Sequence, residues 1–404
     1  MALTKRRDLR TGLPVWTAYR TSIPNGSPIT RDLSTDVLIV GAGISGILVA
    51  HSLAATGLRV VMIDRRGPLL GSTPASTALL QFEIDTPLIR LQRRLGARYA
   101  QAAWLRSLAA LRSLHRTIRS ARIRADVAIR PSLLLAGAAL DAGALAAETR
   151  ARRRIGLPSR YLSRSELRAH FGLQRQAAIL SEENLVANPR ALGAALLRRA
   201  MNAGTRLYSP HEITEVHTNS TRCVASTDAG HTITSRHIIF CTGYEMPPWI
   251  PTDGHRISST WVLATRPQPR VLWPRSALIW EAADPYLYVR ATLDGRVICG
   301  GEDEAFADPK RRDARTAAKT LVLQRKLGAL LPHINTDADY TWTGSFGQSD
   351  TGLPTIGAVP GHPRCYAVLG YGGNGITFSM LAAELLTGAV LGRPDPDAGL
   401  FAFK

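Results

Sequence analysis

Short apolar runs of strand length and longer helix-like stretches succeed one another along this chain. Asp36-Val37-Leu38-Ile39-Val40 is a strand-length run that leads straight into Gly41-Ala42-Gly43-Ile44-Ser45-Gly46. An apolar helix-like stretch follows over residues 47–55, and Leu58-Arg59-Val60-Val61-Met62-Ile63 forms a second strand that ends on Asp64. Strand, glycine turn, helix, strand and acid in that order predict a dinucleotide-binding unit over residues 34–80. Gly41 allows the tight turn, Gly43 lets the backbone approach a diphosphate, and Gly46 lets helix and strand pack closely. The helix N-terminus presents unpaired N–H groups and partial positive charge to the phosphates. Asp64 stands where a carboxylate accepts hydrogen bonds from ribose hydroxyls.

Residues 1–30, with Pro14, Pro24 and Pro28, read as an extended arm laid over the body. Helical patterning continues to about residue 122. A strand with a break covers residues 127–136, and a helix covers residues 144–153. After Ala177-Ala178-Ile179-Leu180-Ser181 the pattern regains nucleotide-domain character, with Asn188-Pro189-Arg190 opening a helix that ends near Gly204. Short strands then close on Ile238-Ile239-Phe240-Cys241-Thr242-Gly243. Residues 258–300 read as an antiparallel sheet, residues 312–330 as a helix, and a glycine-rich stretch leads into a last helix over residues 376–390.

A chain of 404 residues exceeds what one core usually organises, so two domains, or one domain inserted in another, are expected. Its 45% hydrophobic and 20% charged residues describe an ordinary globular protein. The net charge of +19 does not, and it is almost all arginine: lysine occurs only at Lys5, Lys310, Lys319, Lys326 and Lys404. Between Asp85 and Asp126 there is no acid, while Arg90, Arg93, Arg94, Arg98, Arg106, Arg112, Arg116, Arg119, Arg122 and Arg124 alternate with leucines. This basic amphipathic face is either a solvated surface over buried leucines or a peripheral contact for anionic lipid, an acidic partner or RNA. No aromatic-interleaved RNA motif accompanies it, which disfavours nucleic acid.

Cys223, Cys241, Cys299 and Cys365 are too widely spaced for a zinc site or a disulfide framework, and the histidines lack metal spacing, so no metal is expected. The N-terminus lacks the apolar core of a secretory signal, and the apolar stretch over residues 133–147 is too short to span a bilayer. A cytoplasmic location and no integral membrane segment are the expectations.

Four blocks, in order, resemble the FAD-dependent D-amino acid oxidase superfamily, which includes glycine oxidase, sarcosine oxidase and gamma-glutamylputrescine oxidase. They are the glycine turn with Asp64; Gly71-Ser72-Thr73-Pro74-Ala75-Ser76-Thr77-Ala78; Phe240-Cys241-Thr242-Gly243; and Gly370-Tyr371-Gly372-Gly373-Asn374-Gly375-Ile376. The likeness covers nearly the whole chain. It implies an α/β fold, α+β overall: a Rossmann-like FAD-binding domain with an inserted substrate domain on a mainly antiparallel sheet. The implied division is an arm over residues 1–30, an FAD-binding domain over 31–85, 185–250 and 338–404, and a substrate domain over 86–184 and 251–337. The FAD contacts implied are Gly41, Gly43, Ile44, Ser45, Gly46, Asp64, Arg65, Ser72, Thr73, Thr77, Ala78, Thr242, Gly243, Gly372, Gly373, Asn374, Gly375 and Ile376. The last block also has a mechanism of its own, because a helix N-terminus at a glycine turn stabilises negative charge near N1 and C2=O of a reduced flavin. No His lies between His51 and His115, and Cys365 sits on an apolar strand, so FAD is expected to be held non-covalently.

Tyr286-Leu287-Tyr288-Val289-Arg290, Gly300-Gly301-Glu302, Trp342-Thr343-Gly344 and Leu353-Pro354-Thr355-Ile356-Gly357 are most similar to the gamma-glutamylputrescine oxidase branch. Glycine oxidase-like members place a carboxylate-gripping arginine a few residues after Trp-x-Gly, where this chain has Phe346. An α-carboxylate taken from water needs a charge-assisted partner, so its loss favours an amine over an α-amino acid, unless Arg290 on the neighbouring strand replaces it. The substrate-facing candidates are Tyr288, Arg290 and Glu302, with Phe346 and Tyr371 as apolar walls. Glu302 is the candidate anchor for a distal ammonium. The expected reaction is hydride transfer from the carbon bearing nitrogen to flavin N5, giving an imine that hydrolyses, with oxygen or another acceptor reoxidising the flavin. Three functions stay open: an FAD amine or amino-acid oxidase or dehydrogenase, a flavoenzyme acting on modified tRNA, and a flavoprotein that docks an electron carrier or membrane.

Overall fold

A computed structural model describes residues 3–404; the first two residues of the expected arm lie outside it. Two sheets organise the chain. The smaller runs in the order Thr355–Ala358, Cys365–Leu369, Thr232–Phe240, Leu33–Val40, Val60–Ile63 and Arg206–Tyr208, with Cys223–Thr227 and Ile213–Thr218 extending it as a hairpin. Its centre is parallel: Leu33–Val40 pairs with Val60–Ile63 on one side and Thr232–Phe240 on the other. Parallel strands are buried on both faces and read as continuous apolar runs, which is why Val37, Leu38 and Ile39 are all fully buried.

The larger sheet runs Arg10–Gly12, Ala338–Ser349, His255–Thr265, Val297–Glu304, Leu287–Ala291, Leu278–Glu281, Ala128–Leu135, Ala177–Val186 and Leu79–Leu80. All its pairs are antiparallel except Leu278–Glu281 with Ala128–Leu135. The expected break in the latter strand is a register shift between Arg130 and Ser132, where Pro131 cannot donate to the ladder. The fold is therefore the expected Rossmann-like unit joined to a mainly antiparallel substrate-side sheet.

The helix Ile44–Ala54 is buried on nearly every side because Pro189–Asn202 and Gly375–Val390 both pack on it. Ser45 and Ser379 close a 2.7 Å hydroxyl bond between the first and last of these helices.

Two segments sit elsewhere than the expected division places them. The arginine-rich helix Ala97–Ser120 packs on Gly375–Val390, and its apolar stripe of Trp104, Leu108, Leu111, Leu114 and Ile118 belongs to the nucleotide-side core. The strand Ala338–Ser349 pairs with His255–Thr265 in the larger sheet rather than with the nucleotide unit. Part of the basic face is also paired internally: Arg112 meets Glu183 at 2.6 Å and Arg106 meets Asp395 at 3.1 Å. No helix among the described residues is long and apolar enough to cross a membrane.

Candidate active site

One long cavity lies between the sheets, and glycine chemistry shapes its nucleotide end. Gly41 has φ +110, and a Cβ there would run into the Cys241 carbonyl oxygen. Gly46 lines nothing; a Cβ on it would strike the Gly41 carbonyl, so it serves the close packing of helix on strand. Gly43 differs. Its φ of −75 suits any residue, and an added Cβ would meet only Thr73 Oγ1 at 3.6 Å, so the missing side chain leaves room that opens on the cavity.

Asp64 ties this turn together. Its Oδ2 accepts from the Ala42 N–H at 2.7 Å, and its Oδ1 accepts from Arg66 and Gly67 at 2.8 and 2.9 Å. Burial holds the carboxyl above its usual range against the pull of those amides. Beside it, Arg65 bonds Thr4 Oγ1 at 2.9 Å and Glu212 at 2.8 Å, while Arg66 pairs with buried Glu245 at 2.6 Å. The N-terminal arm is drawn into this network: the Arg7 N–H donates to Glu245, Arg66 donates to the Arg7 carbonyl at 3.0 Å, and Leu3, Thr4 and Leu9 form part of the cavity wall. That closing of the nucleotide end by the arm was not legible in its sequence.

The middle of the cavity is lined by the loop of residues 72–78. Its carbonyls are held from behind by buried donors: Trp342 Nε1 to Ala75 at 3.0 Å, Trp16 Nε1 to Ser76 at 2.7 Å, and Arg290 Nη1 to Thr77 and Ala78 at 3.1 and 2.8 Å. Across from it, the turn Gly372–Asn374 feeds the helix Gly375–Val390, so two helix N-termini open on one cavity.

The residues expected to hold FAD all line this space except Gly46. The fit to the cofactor rests on the room at Gly43, on the two converging helix ends, and on Ser72 Oγ, a buried hydroxyl with no partner in the protein. The cysteine and histidine among the lining residues, Cys241 and His211, bond Val40 and Asp64 through their backbones at the nucleotide end.

At the other end the structure gathers Tyr288, Phe346 and Tyr371, as expected, and departs from expectation twice. Arg290 does not line the cavity. It is fully buried, its Nη1 also takes the Ala187 carbonyl at 3.0 Å, and its guanidinium lies 5.3 Å over Trp16. Burial pushes it down to about 9. Glu302 does not line it either: it pairs with Lys319 at 3.3 Å and with Lys326, both on the helix Thr316–Leu330. The reason is register. A shift in pairing between Ser259 and Trp261, with Glu302 at φ +58, sends Glu302 to the helix side and its neighbour Asp303 toward Thr260 and Tyr286.

Residues not anticipated complete this end: Gln81, Glu83, Asp85, Thr260, Trp280 and Tyr286 line the cavity. The sequence signal of the first three was the strict alternation Gln81-Phe82-Glu83-Ile84-Asp85, whose apolar members Phe82 and Ile84 are fully buried. Backbone bonds aim the segment: Thr377 Oγ1 donates to the Gln81 carbonyl at 2.9 Å, Asn374 Nδ2 to the Glu83 carbonyl, and the Gly373 N–H to Asp85 Oδ2 at 2.9 Å. Tyr288 lies flat on the sheet because its cross-strand partner is Gly300, where a Cβ would collide with the phenol ring.

Asp303 is pushed up to about 6, first by burial and further by the like charges of Asp85 and Asp284. Its folded form therefore keeps a proton to about pH 6 that the unfolded chain releases near 3.8. Stability of the cofactor-free protein falls as pH rises through that window, and the deficit persists above it. Asp303→Asn is expected to remove the deficit, adding up to about 3 kcal/mol at pH 7.5 and far less at pH 4. Urea midpoints of both proteins at the two pH values give the test, and an equal difference at both would refute it.

The family model described as "FAD dependent oxidoreductase" (DAO) matches residues 36–389. Among curated relatives, the chain is 20% identical to "Probable oxidoreductase OrdL" of Haemophilus influenzae, covering 90% of this chain and 85% of that one. It is 24% identical to the glycine oxidase of Geobacillus kaustophilus, covering 88% and 92%. The crystal structure of glycine oxidase from Geobacillus kaustophilus superposes with a TM-score of 0.76 at 20% identity, over 92% of this chain and 99% of that one.

Proposed function

The chain belongs to the DAO family of FAD-dependent oxidoreductases, and from that premise we propose that it oxidises a C–N bond in an amine. The amine lacks a carboxylate on its reacting carbon and is of the polyamine-like or γ-glutamylated kind. One observation carries the reading. The basic side chains that line the cavity, Arg65, Arg66 and His211, all gather around Asp64 at the nucleotide end, while the other end has aromatic rings and carboxylates. Arg290, the alternative grip for an α-carboxylate, has its Nη1 committed to three backbone carbonyls and its Nε to a fourth.

Bound FAD supplies a two-electron acceptor. With it in place, the carbon bearing nitrogen would lose a hydride and the nitrogen a proton, and water would add to the resulting C=N bond as the nitrogen departs. The residues orient and desolvate. Tyr288, Phe346 and Tyr371 wall off water, and an apolar wall favours the neutral amine that hydride loss requires. The Gly373 N–H is taken by Asp85, and the N-terminus of the helix Gly375–Val390 is what would stabilise the negative charge that reduction brings. Free, buried cysteines at all four positions suit a reducing cytoplasm.

Anaerobic bleaching of the bound flavin by a panel of polyamines, γ-glutamylated amines, N-methyl amino acids and D-amino acids tests this. Rapid bleaching by amines without an α-carboxylate is the expected result. Bleaching by α-amino acids alone would overturn it.

A further inference from the structure

We propose that Asp85 and Tyr286, with Asp303 behind them, form a subsite for a second ammonium group, so that the substrate is a diamine held by one nitrogen and oxidised at the other. This rests on the amine reading above and selects within it.

Asp85 lines the cavity and receives one backbone N–H, a neutral donor that leaves its charge uncompensated. Its side chain stands exposed on the cavity, where a ligand can reach it. Asp303 has both oxygens buried without a hydrogen bond of normal geometry, and the side chains it approaches, Thr260 and Tyr286, both line the cavity. The buried carboxyl of Asp303 has no cation opposite, and neither has Asp85 in front of it; an ammonium seated at Asp85 would meet both, more strongly once the ligand excludes water.

Two further groups point to a polar ligand independently of these acids. Gln81 is 8% exposed and Glu83 2% exposed; both line the same cavity, yet Gln81 Nε2 and Glu83 Oε2 have no partner. Buried amide donors and carboxylate acceptors are satisfied in nearly all proteins, by a ligand where not by the chain. The ring centroids of Tyr286 and Tyr288 stand 5.7 Å apart at an interplanar angle of 39°, a surface that attracts a cation through its π faces.

The chemistry decides which nitrogen goes here. Hydride loss needs a neutral amine, whereas a carboxylate stabilises the ammonium form. An acidic pocket next to the reacting nitrogen would slow the reaction, so the nitrogen beside Asp85 is the one that is not oxidised. A γ-glutamyl group would bring its own carboxylate toward these acids, and like charges repel, so an unsubstituted diamine fits better.

The test uses FAD-loaded enzyme under anaerobic conditions, with diaminobutane, butylamine and N-acetyl-diaminobutane as probes. Calorimetry reads binding and absorbance reads bleaching. Diaminobutane is expected to bind roughly 10- to 100-fold more tightly than the two monocations, as a charge-assisted contact implies. That preference should shrink at least about tenfold in Asp85→Asn and in Tyr286→Phe combined with Asp303→Asn. Equal binding of the diamine and butylamine by the unaltered enzyme, or a preference that survives both variants, overturns the subsite. If butylamine bleaches the flavin and the diamine binds no better, the amine reading stands and only the subsite falls. If α-amino acids alone bleach it and the diamine does not bind, both fall.

Discussion

Gly43→Val is expected to give a folded protein that purifies without flavin. The backbone at Gly43 has φ −75 and ψ −179, which a valine adopts without strain, and the nearest atom to an added Cβ is Thr73 Oγ1 at 3.6 Å. The protein therefore offers no objection to the side chain, and stability without cofactor should stay within about 1 kcal/mol of the parent. The objection comes from the ligand. The methyl groups would fill the space through which the backbone approaches the diphosphate, and would hold the phosphates off the N–H groups of the helix Ile44–Ala54. Affinity for FAD should fall by more than about 100-fold, equivalent to roughly 3 kcal/mol. Visible absorbance of the purified protein and FAD titration by fluorescence quenching measure this, with urea unfolding of the cofactor-free forms as the control. Gly46→Val provides the contrast: its Cβ would strike the Gly41 carbonyl and stand 3.3 Å from Ile39 Cγ2, so it should lose the fold as well as the flavin. Normal FAD binding by Gly43→Val would mean that the diphosphate lies elsewhere.

The second large effect is expected at Arg290. Arg290→Met keeps the length of the side chain and removes every donor, leaving the carbonyls of Thr77, Ala78 and Ala187 without the Nη1 that now serves all three. Each unsatisfied buried carbonyl costs about 1–3 kcal/mol. Part of that is offset, because a desolvated cation is removed as well. A net loss of about 3–5 kcal/mol is expected in urea unfolding. The consequence for function follows from where the strain sits. Ala78 is held at φ +54, a conformation that a non-glycine residue keeps only when its surroundings impose it. Once released, the loop should relax, and FAD affinity should fall roughly tenfold or more beyond the stability loss. Arg290→Lys should recover part of both, since one ammonium reaches fewer of the three carbonyls. If Arg290→Met instead left stability and FAD binding intact while abolishing bleaching by substrate, Arg290 would be a substrate contact after all and the structural reading of it would be wrong.

Each reading that came out of the chain alone depends on residues close together in sequence. The glycine turn at residues 41–46, the acid at Asp64 and the glycine-rich entry to the last helix act through local backbone geometry, which glycine spacing dictates within a few residues. Continuous apolar runs in the parallel strands were equally legible, because burial on both faces requires them. The alternation over residues 81–85 was present in the chain but carried no indication of what its polar face would meet.

What only the tertiary structure decided is which side chains meet across long separations and which face of a strand each occupies. Glu302 and Asp303 are neighbours of identical charge, and one pairing shift sends the first to lysines and the second behind the cavity wall. Arg290 is an exposed-type residue whose role depends on carbonyls more than 100 positions away. Asp85 is placed by an amide 288 positions distant. Composition and periodicity constrain such contacts only to a face, since a strand repeats every two residues and a bulge reverses it. Hence the glycine-built end of this cavity could be read from the chain, and its acidic end emerged only when the two sheets were brought together.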